Sequence, residues 1–313
     1  MDKQSKIILI SGPTASGKSN FAIKIAKKIN GEIINADSMQ VYKQLKILTA
    51  RPNKEEQKNI KHHMYGIIDL TKKFSTGQWL KEAIKKIKEI KKRKKIPILV
   101  GGTGLYFQSL INGLVKIPEI PIKFRNRIRS IQKKEGQKIF YKKLLKIDPM
   151  AEGKFDKNDT QRTIRAFEVK SFTKISMYEW LSKTKSEFKD EEFLKLYIDF
   201  KREDLIKRIS LRSIKMIEEG AINEVKKFIR SKIKKDLSVN RVIGIDELTQ
   251  HLCKKIKLDK ARELISIKTR QYAKRQATWA RSRMTSWEKI NPFKITDYIK
   301  NLKKSALKLD QLT

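Results

Sequence analysis

Two hydrophobic periods alternate along the N-terminal part of the chain. Residues 7–11 (IILIS) form a continuous apolar run, the mark of a strand buried on both faces. From about Lys18 to Lys28 the period lengthens: Phe21, Ala22, Ile25 and Ile29 share one side of a helix, which Gly31 stops. Residues 32–38 (EIINADS) predict a second short strand that ends in polar positions. Ser75 and Thr76 suit an N-cap, and Trp79, Ala83, Ile84, Ile87 and Ile90 then recur at helical spacing. The basic run at 91–95 (KKRKK) suits the negative end of that helix better than a binding role. Residues 96–102 (IPILVGG) are another buried-strand run. Strand, helix, strand, helix in this rhythm predicts an α/β fold with a doubly wound parallel sheet. Ligands in such sheets sit at the carboxyl ends of the strands, which brings residues 11–19, Asp37 and residues 101–103 together.

The texture changes at Pro118 and Pro121. Residues 122–195 read as polar helices with Arg and Lys at short intervals, and residues 193–203 (FLKLYIDFKRE) as a strand returning to the sheet. After Asp204, Ile206, Ile209, Ser213, Met216 and Ile217 line a helical stripe, with Gly220 as its C-cap. The expected organisation is a first part of the α/β core at 1–117, a mostly helical insertion at 118–195, and a return to the core with C-terminal helices at 196–313. No internal repeat interrupts it.

Charge adds a partner to this outline. Lys and Arg number 74 against 34 Asp and Glu, a formal net charge of +40 over 313 residues. Such an excess favours a polyanion, with nucleic acid ahead of an anionic membrane. The alternative is base composition, since lysine and isoleucine are abundant throughout. The single cysteine, Cys253, allows no intrachain disulfide and no cysteine zinc site, which suits a cytoplasmic protein. No stretch approaches the roughly 20 apolar residues that span a bilayer, and the run at 7–11 leads straight into a glycine loop rather than a signal cleavage site. A monomer is the default expectation.

That loop is the strongest chemical signal. Gly12, Pro13, Thr14, Ala15, Ser16, Gly17, Lys18 and Ser19 fit G-x-x-x-x-G-K-[ST] between a predicted strand and a predicted helix. Backbone N–H groups and the helix N-terminus would hold phosphate oxygens, Lys18 would add a point charge, and Ser19 could ligate Mg²⁺. The core is therefore expected to be P-loop NTPase-like. A nucleotide hydrolase of this kind usually ends a further strand in a metal-holding Asp. Here residues 96–100 run into Gly101, Gly102, Thr103 and Gly104. The acid at a strand end is Asp37, which could be a metal ligand, a general base or merely a turn-former.

Seven stretches occur in an order that carries a resemblance: GPTASGKS, INADSMQVYKQL, TARP, KHHMYGIID, ILVGGTGLYFQSL, NDTQRTIRAFEV and KRQATWAR. Together they resemble the tRNA dimethylallyltransferases (isopentenyl-tRNA transferases) from about Ile7 to Arg283. The resemblance implies transfer of the five-carbon group of dimethylallyl diphosphate to N6 of the adenosine just 3′ of the anticodon, with Mg²⁺ assisting. It implies that Asp37 is the general base, that Thr103 touches the reacting groups and that Arg202 clamps the diphosphate. It also implies tRNA contacts at Asp37, Ser38, Met39, Gln40, Thr103 and Arg125. Further contacts would come from Gln161, Arg162, Thr163, Ile164 and Arg165, from Arg241 through Asp246, and from Lys274, Arg275, Gln276, Trp279 and Arg281. Gln40, Gln161 and Gln276 are the candidates for reading base edges; Trp279 could stack on a base or sit in the core. A loop base must leave its stack to reach a pocket.

Departures qualify single residues. Asp246 would repel phosphate in an RNA-facing segment, and SFTKIS at 171–176 lacks a glycine usual in the family. No Cys/His zinc-finger extension is seen, which fits the bacterial form. His62 and His63 match a family pair and are expected to be structural or near the substrate rather than metal ligands. Two other readings stand beside the resemblance: a P-loop small-molecule kinase or NTPase, and an RNA-binding scaffold with a vestigial loop.

Overall fold

The computed structural model describes residues 6–57, 59–115 and 117–301. The first elements are β1 (Ile7–Ser11), α1 (Lys18–Ile29), β2 (Gly31–Asn35), α2 (Lys54–Gln57), β3 (His62–His63), α3 (Thr76–Lys92), β4 (Ile96–Gly101) and α4 (Gly104–Asn112). Four helices follow: α5 (Ile122–Glu135), α6 (Gln137–Ile147), α7 (Thr160–Thr173) and α8 (Met177–Ser182). The chain then forms β5 (Phe193–Ile198), α9 (Arg202–Glu218), α10 (Ala221–Arg230), α11 (Ile245–Leu252), α12 (Leu258–Arg283) and β6 (Glu288–Ile290).

The six strands make one parallel sheet in the order β3-β2-β4-β1-β5-β6. From β1 the chain moves toward one edge, and only after α8 does it return on the other side of β1 with β5 and β6. That reversal sits at β1, where open α/β sheets place their ligands. Ile8, Ile10, Ile33, Ile98 and Val100 pack against Phe21 and Ile25 of α1 on one face of the sheet. Helix α3 packs against β2 and β4. Of the two N-cap candidates the structure uses Ser75, which forms a capping box with Gln78. A second core joins Val41, Tyr42, Leu45 and Leu48 to Val225, Phe228, Leu248 and Ile265, which anchors the segment that follows Asp37.

Two compact units divide the chain: residues 110–187, and the remainder on both sides of them. The first break falls inside α4, ahead of Pro118, and the second just before β5. Within residues 110–187, Leu144, Ala151 and Ala166 form a small core, with Phe140 and Phe167 rings 4.7 Å apart. The strand expected over 32–38 ends at Asn35, because the Asn35 side chain closes a turn there. Its Oδ1 accepts from the Asp37 N–H at 2.8 Å and its Nδ2 donates to the Asp37 carbonyl at 3.0 Å. The return strand ends at Ile198, so Arg202 opens α9 rather than closing a strand. Strands β3 and β6, of two and three residues, were not expected from sequence; runs so short carry no period.

Candidate active site

The loop after β1 turns back on itself. Ser16 N–H returns to the Pro13 carbonyl at 3.2 Å, and Lys18 Nζ donates to the same carbonyl at 3.2 Å. Ala15 holds φ at +65°, an uncommon conformation for a residue with a Cβ and one that concentrates at functional loops. Ser16 Oγ is buried with no hydrogen-bond partner in the protein. A buried hydroxyl without a protein partner is left open to a ligand atom. Burial pushes Lys18 down to about 8; the Asp37 charge opposes this and Arg212 adds to it.

Asp37 and Thr103 come together because β2 and β4 are neighbours. Thr103 N–H donates to the Ala36 carbonyl at 3.2 Å, and Thr103 Oγ1 accepts from Ser38 N–H at 3.0 Å. A Cβ on Gly101 would stand 2.1 Å from the Ala36 carbonyl carbon, so glycine is required for the two turns to touch. Asp37 Oδ1 accepts from Met39 N–H at 2.9 Å, and the residue is half-buried. Its charge falls on Lys18 and Arg212, and it adds to burial in raising the phenols of Tyr65, Tyr106 and Tyr272. Strand β4 ends in Gly101 with no acid, as the sequence indicates.

The cations beside the loop include two that sequence reading missed. Arg208 Nε donates to the Ala15 carbonyl at 2.7 Å, and Arg212 Nη1 donates to Thr14 Oγ1 at 3.0 Å. Arg212 is half-buried, and burial lowers its pKa against the pull of Asp37. The two lie four residues apart on α9, flanking the buried stripe of Leu205, Ile209, Ser213 and Met216. Solvated charges on a helix share that spacing, so the sequence alone does not single the two out. Arg202, expected from the resemblance to clamp the diphosphate, is exposed and lines a cavity of about 840 Å³. Pro13, Leu205, Ile209, Ala273 and Arg281 share that lining, so the cavity opens against the loop.

The residues expected to meet RNA divide into three kinds. Gln161, Arg162, Arg241, Lys274, Arg275 and Arg281 are exposed. Arg125 and Arg165 reach buried Glu168 at 3.1 and 3.6 Å, joined by Arg129 at 3.7 Å. Others turn inward. Thr163 is fully buried, with Oγ1 donating to the Asp159 carbonyl and accepting from Gln137, so its side chain presents no surface to RNA. Met39 packs on the second core, and Ile164 is half-buried. Ser38 is tied to Thr103, and the Gln40 amide donates to the carbonyls of Thr49 and Ala50 at 2.9 and 3.1 Å rather than outward. Gln276 bonds to the loop, and the Trp279 ring lies where a Cβ on Gly104 would be, half-buried rather than in the core. Asp246 pairs with Lys268 at 3.3 Å in the first turn of α11, where its charge also favours the helix. His63 Nε2 sits 2.7 Å from Glu32 Oε2, and His62 Nδ1 2.7 Å from the Ile60 carbonyl. Among the described residues, no helix is long and apolar enough to cross a membrane.

Comparison with known proteins gives this geometry a family. The IPP transferase family matches residues 40–283. The tRNA dimethylallyltransferase of Pelagibacter ubique (strain HTCC1062) is 76% identical over 313 residues, all of both chains. That of Rickettsia massiliae (strain Mtu5) is 42% identical over 90% of this chain and 78% of its own. The crystal structure of the full-length tRNA isopentenylpyrophosphate transferase from Bacillus halodurans superposes with a TM-score of 0.69 at 30% identity, covering 98% of this chain and 99% of that one. A eukaryotic dimethylallyltransferase captured acting on tRNA gives 0.82 at 31% identity, over 96% of this chain and 77% of its own. These relatives favour a transferase over the kinase or NTPase reading. On the family match over residues 40–283 and the 76% identity over the full length of both chains, the chain belongs to the IPP transferase family, the tRNA dimethylallyltransferases.

Proposed function

We propose that the protein transfers the dimethylallyl group of dimethylallyl diphosphate to N6 of the adenosine 3′ of the anticodon in tRNA. One observation carries the reading: a phosphate loop whose neighbouring strand ends in Gly-Gly-Thr, with the acid displaced to Asp37 across from it. In this arrangement the loop holds a leaving group. The allylic C1–O bond breaks and its electron pair stays on the diphosphate. The adenine N6 forms the new C–N bond and gives up a proton to the Asp37 carboxylate. Lys18, Arg212 and the loop amides receive the developing negative charge where little water competes. Arg202 would add a cation from the cavity side. A general base of this kind contributes about 10²–10⁴-fold.

The donor set fits Mg²⁺. No group of three His, Cys, Asp or Glu able to cage a metal exists among the described residues. Mg²⁺ commonly binds through one or two protein oxygens, with substrate phosphates and water completing its shell. The Ser19 hydroxyl at the start of α1 would be the protein ligand, and the ion would neutralise charge on the diphosphate. The exposed basic residues would hold RNA phosphates, with direction supplied by fixed arginines.

The test uses labelled dimethylallyl diphosphate, Mg²⁺ and two anticodon stem-loops, one with adenosine and one with inosine at the target. Label should enter the adenosine RNA and not the inosine RNA, which lacks the exocyclic amine. Equal labelling of both would overturn N6 as acceptor, and labelling of neither would overturn the transferase.

A further inference from the structure

Helix α12 carries two unlike faces. Lys274, Arg275 and Arg281 are exposed, whereas Tyr272, Gln276 and Trp279 follow one another along one side and are half-buried. At the centre of the inner face is the Gln276 amide. Its Oε1 accepts from the Thr14 N–H at 2.8 Å, and its Nε2 donates to the Gly102 carbonyl at 2.9 Å. A Cβ on Gly102 would lie 2.1 Å from that Nε2, so the close approach requires glycine there. One side chain thus spans the loop after β1 and the turn after β4. Both ends of its carboxamide are engaged by backbone, which removes it as a reader of base edges in this arrangement.

An ordinary buried glutamine would satisfy itself within its own packing. This one bonds to the two segments whose separation decides the reaction. Thr14 belongs to the diphosphate loop and also holds Arg212, while Gly102 precedes Thr103, which holds the Ser38 N–H beside Asp37. We propose that Gln276 is a positioning residue: it sets the spacing between the diphosphate loop and the Asp37–Thr103 turn. It acts from the helix whose outer face bears the exposed cations. The proposal rests on the transferase reading for its kinetic consequence, and displacement of reacting groups by about 1 Å can cost about 10²-fold in rate.

Two variants test it. Gln276→Ala removes both bonds. Gln276→Glu keeps the volume, and only its protonated form offers a donor to Gly102 and an acceptor to Thr14. Each is compared with wild type by calorimetric titration of inorganic diphosphate, by anisotropy of a labelled anticodon stem-loop, and by transfer rates across pH. For Gln276→Ala, kcat should fall about 10²-fold and diphosphate binding about tenfold, with stem-loop affinity within about twofold of wild type. For Gln276→Glu, the rate relative to wild type should rise as pH falls through the carboxylate range, a signature that loss of packing does not produce. The opposite split, with stem-loop binding weakened and diphosphate binding unchanged, would make Gln276 an RNA reader and overturn the proposal. Unchanged rate and binding in both variants would overturn it too. Diphosphate titration needs no RNA, so a wild type that transfers nothing would sink the transferase reading while this titration still judges Gln276.

Discussion

Two groups of cationic side chains in this protein are held in opposite ways. At the loop, Lys18 and Arg212 bond to a carbonyl and a hydroxyl, with no carboxylate at ion-pair distance among the described residues. In the helical unit, Arg125, Arg129 and Arg165 converge on one carboxylate, Glu168, which is 1% exposed. The first arrangement leaves cations partly desolvated and unneutralised, which favours binding of an anion and costs stability while the site is empty. The second spends one buried acid to aim three arginines and still leaves net positive charge at the surface. A cation poised for chemistry and a cation aimed at a polymer backbone thus differ in their partners rather than in residue type.

Substitutions can break this contrast. The largest effect is expected at Asp37. Asp37→Ala should lower the transfer rate by about 10²–10⁴, with stem-loop affinity nearly intact; equal losses in both would make Asp37 an RNA contact instead of a base. Next comes Glu168→Gln, which leaves three part-exposed arginines around a neutral amide and should destabilise by about 2 kcal/mol in denaturant titration. Arg212→Ala should not destabilise comparably, because it relieves an unneutralised cation, but it should raise the KM for dimethylallyl diphosphate by about tenfold or more. If the two variants lose equal stability, the contrast is wrong.

A third carboxylate sharpens the comparison. Glu32 is 1% exposed and meets Arg93 at 2.6 Å, His63 at 2.7 Å and Lys95 at 3.2 Å. Burial alone would raise Glu32, but hydrogen bonds from these three partners outweigh it and hold it at about 2. Its folded pKa lies below the unfolded value, so its contribution is complete above about pH 4.5 and fades as pH falls toward 2. Wild type should lose about 2 kcal/mol over that window that Glu32→Gln does not lose. The smallest effect concerns salt. Each arginine that binds an RNA phosphate should contribute about 0.7 to the slope of log K against log salt. Arg129→Ala should reduce that slope by this amount, and an unchanged slope would assign Arg129 to Glu168 alone.

Much of the site was legible in the sequence because its parts are local. The loop, its flanking strand and helix, and the Gly-Gly-Thr turn each lie within a few residues, and neighbouring parallel strands bring their ends together. What could not be read depends on which way a long helix faces. The inner face of α12 is a sparse stripe of Ala261, Ile265, Ala273 and Ala280, and Gln276 points inward beside it. A glutamine between Arg275 and Ala277 looks like surface until the partner backbone is known. Arg208 and Arg212 were hidden for a related reason, since each flanks an apolar stripe and has the spacing of ordinary solvated charge. Gln40 and Thr163 turn their side chains to nearby backbone, a bond that short polar patterns in a sequence do not announce.

The central claim is that the loop holds a leaving group whose departure waits for an RNA amine. The most direct measurement is the stoichiometry of diphosphate release against prenylated adenosine, with and without the anticodon stem-loop. The account predicts one diphosphate for each modified adenosine, negligible release without RNA, and no phosphate from ATP. Release that proceeds equally without RNA, or turnover of ATP in its place, would contradict it.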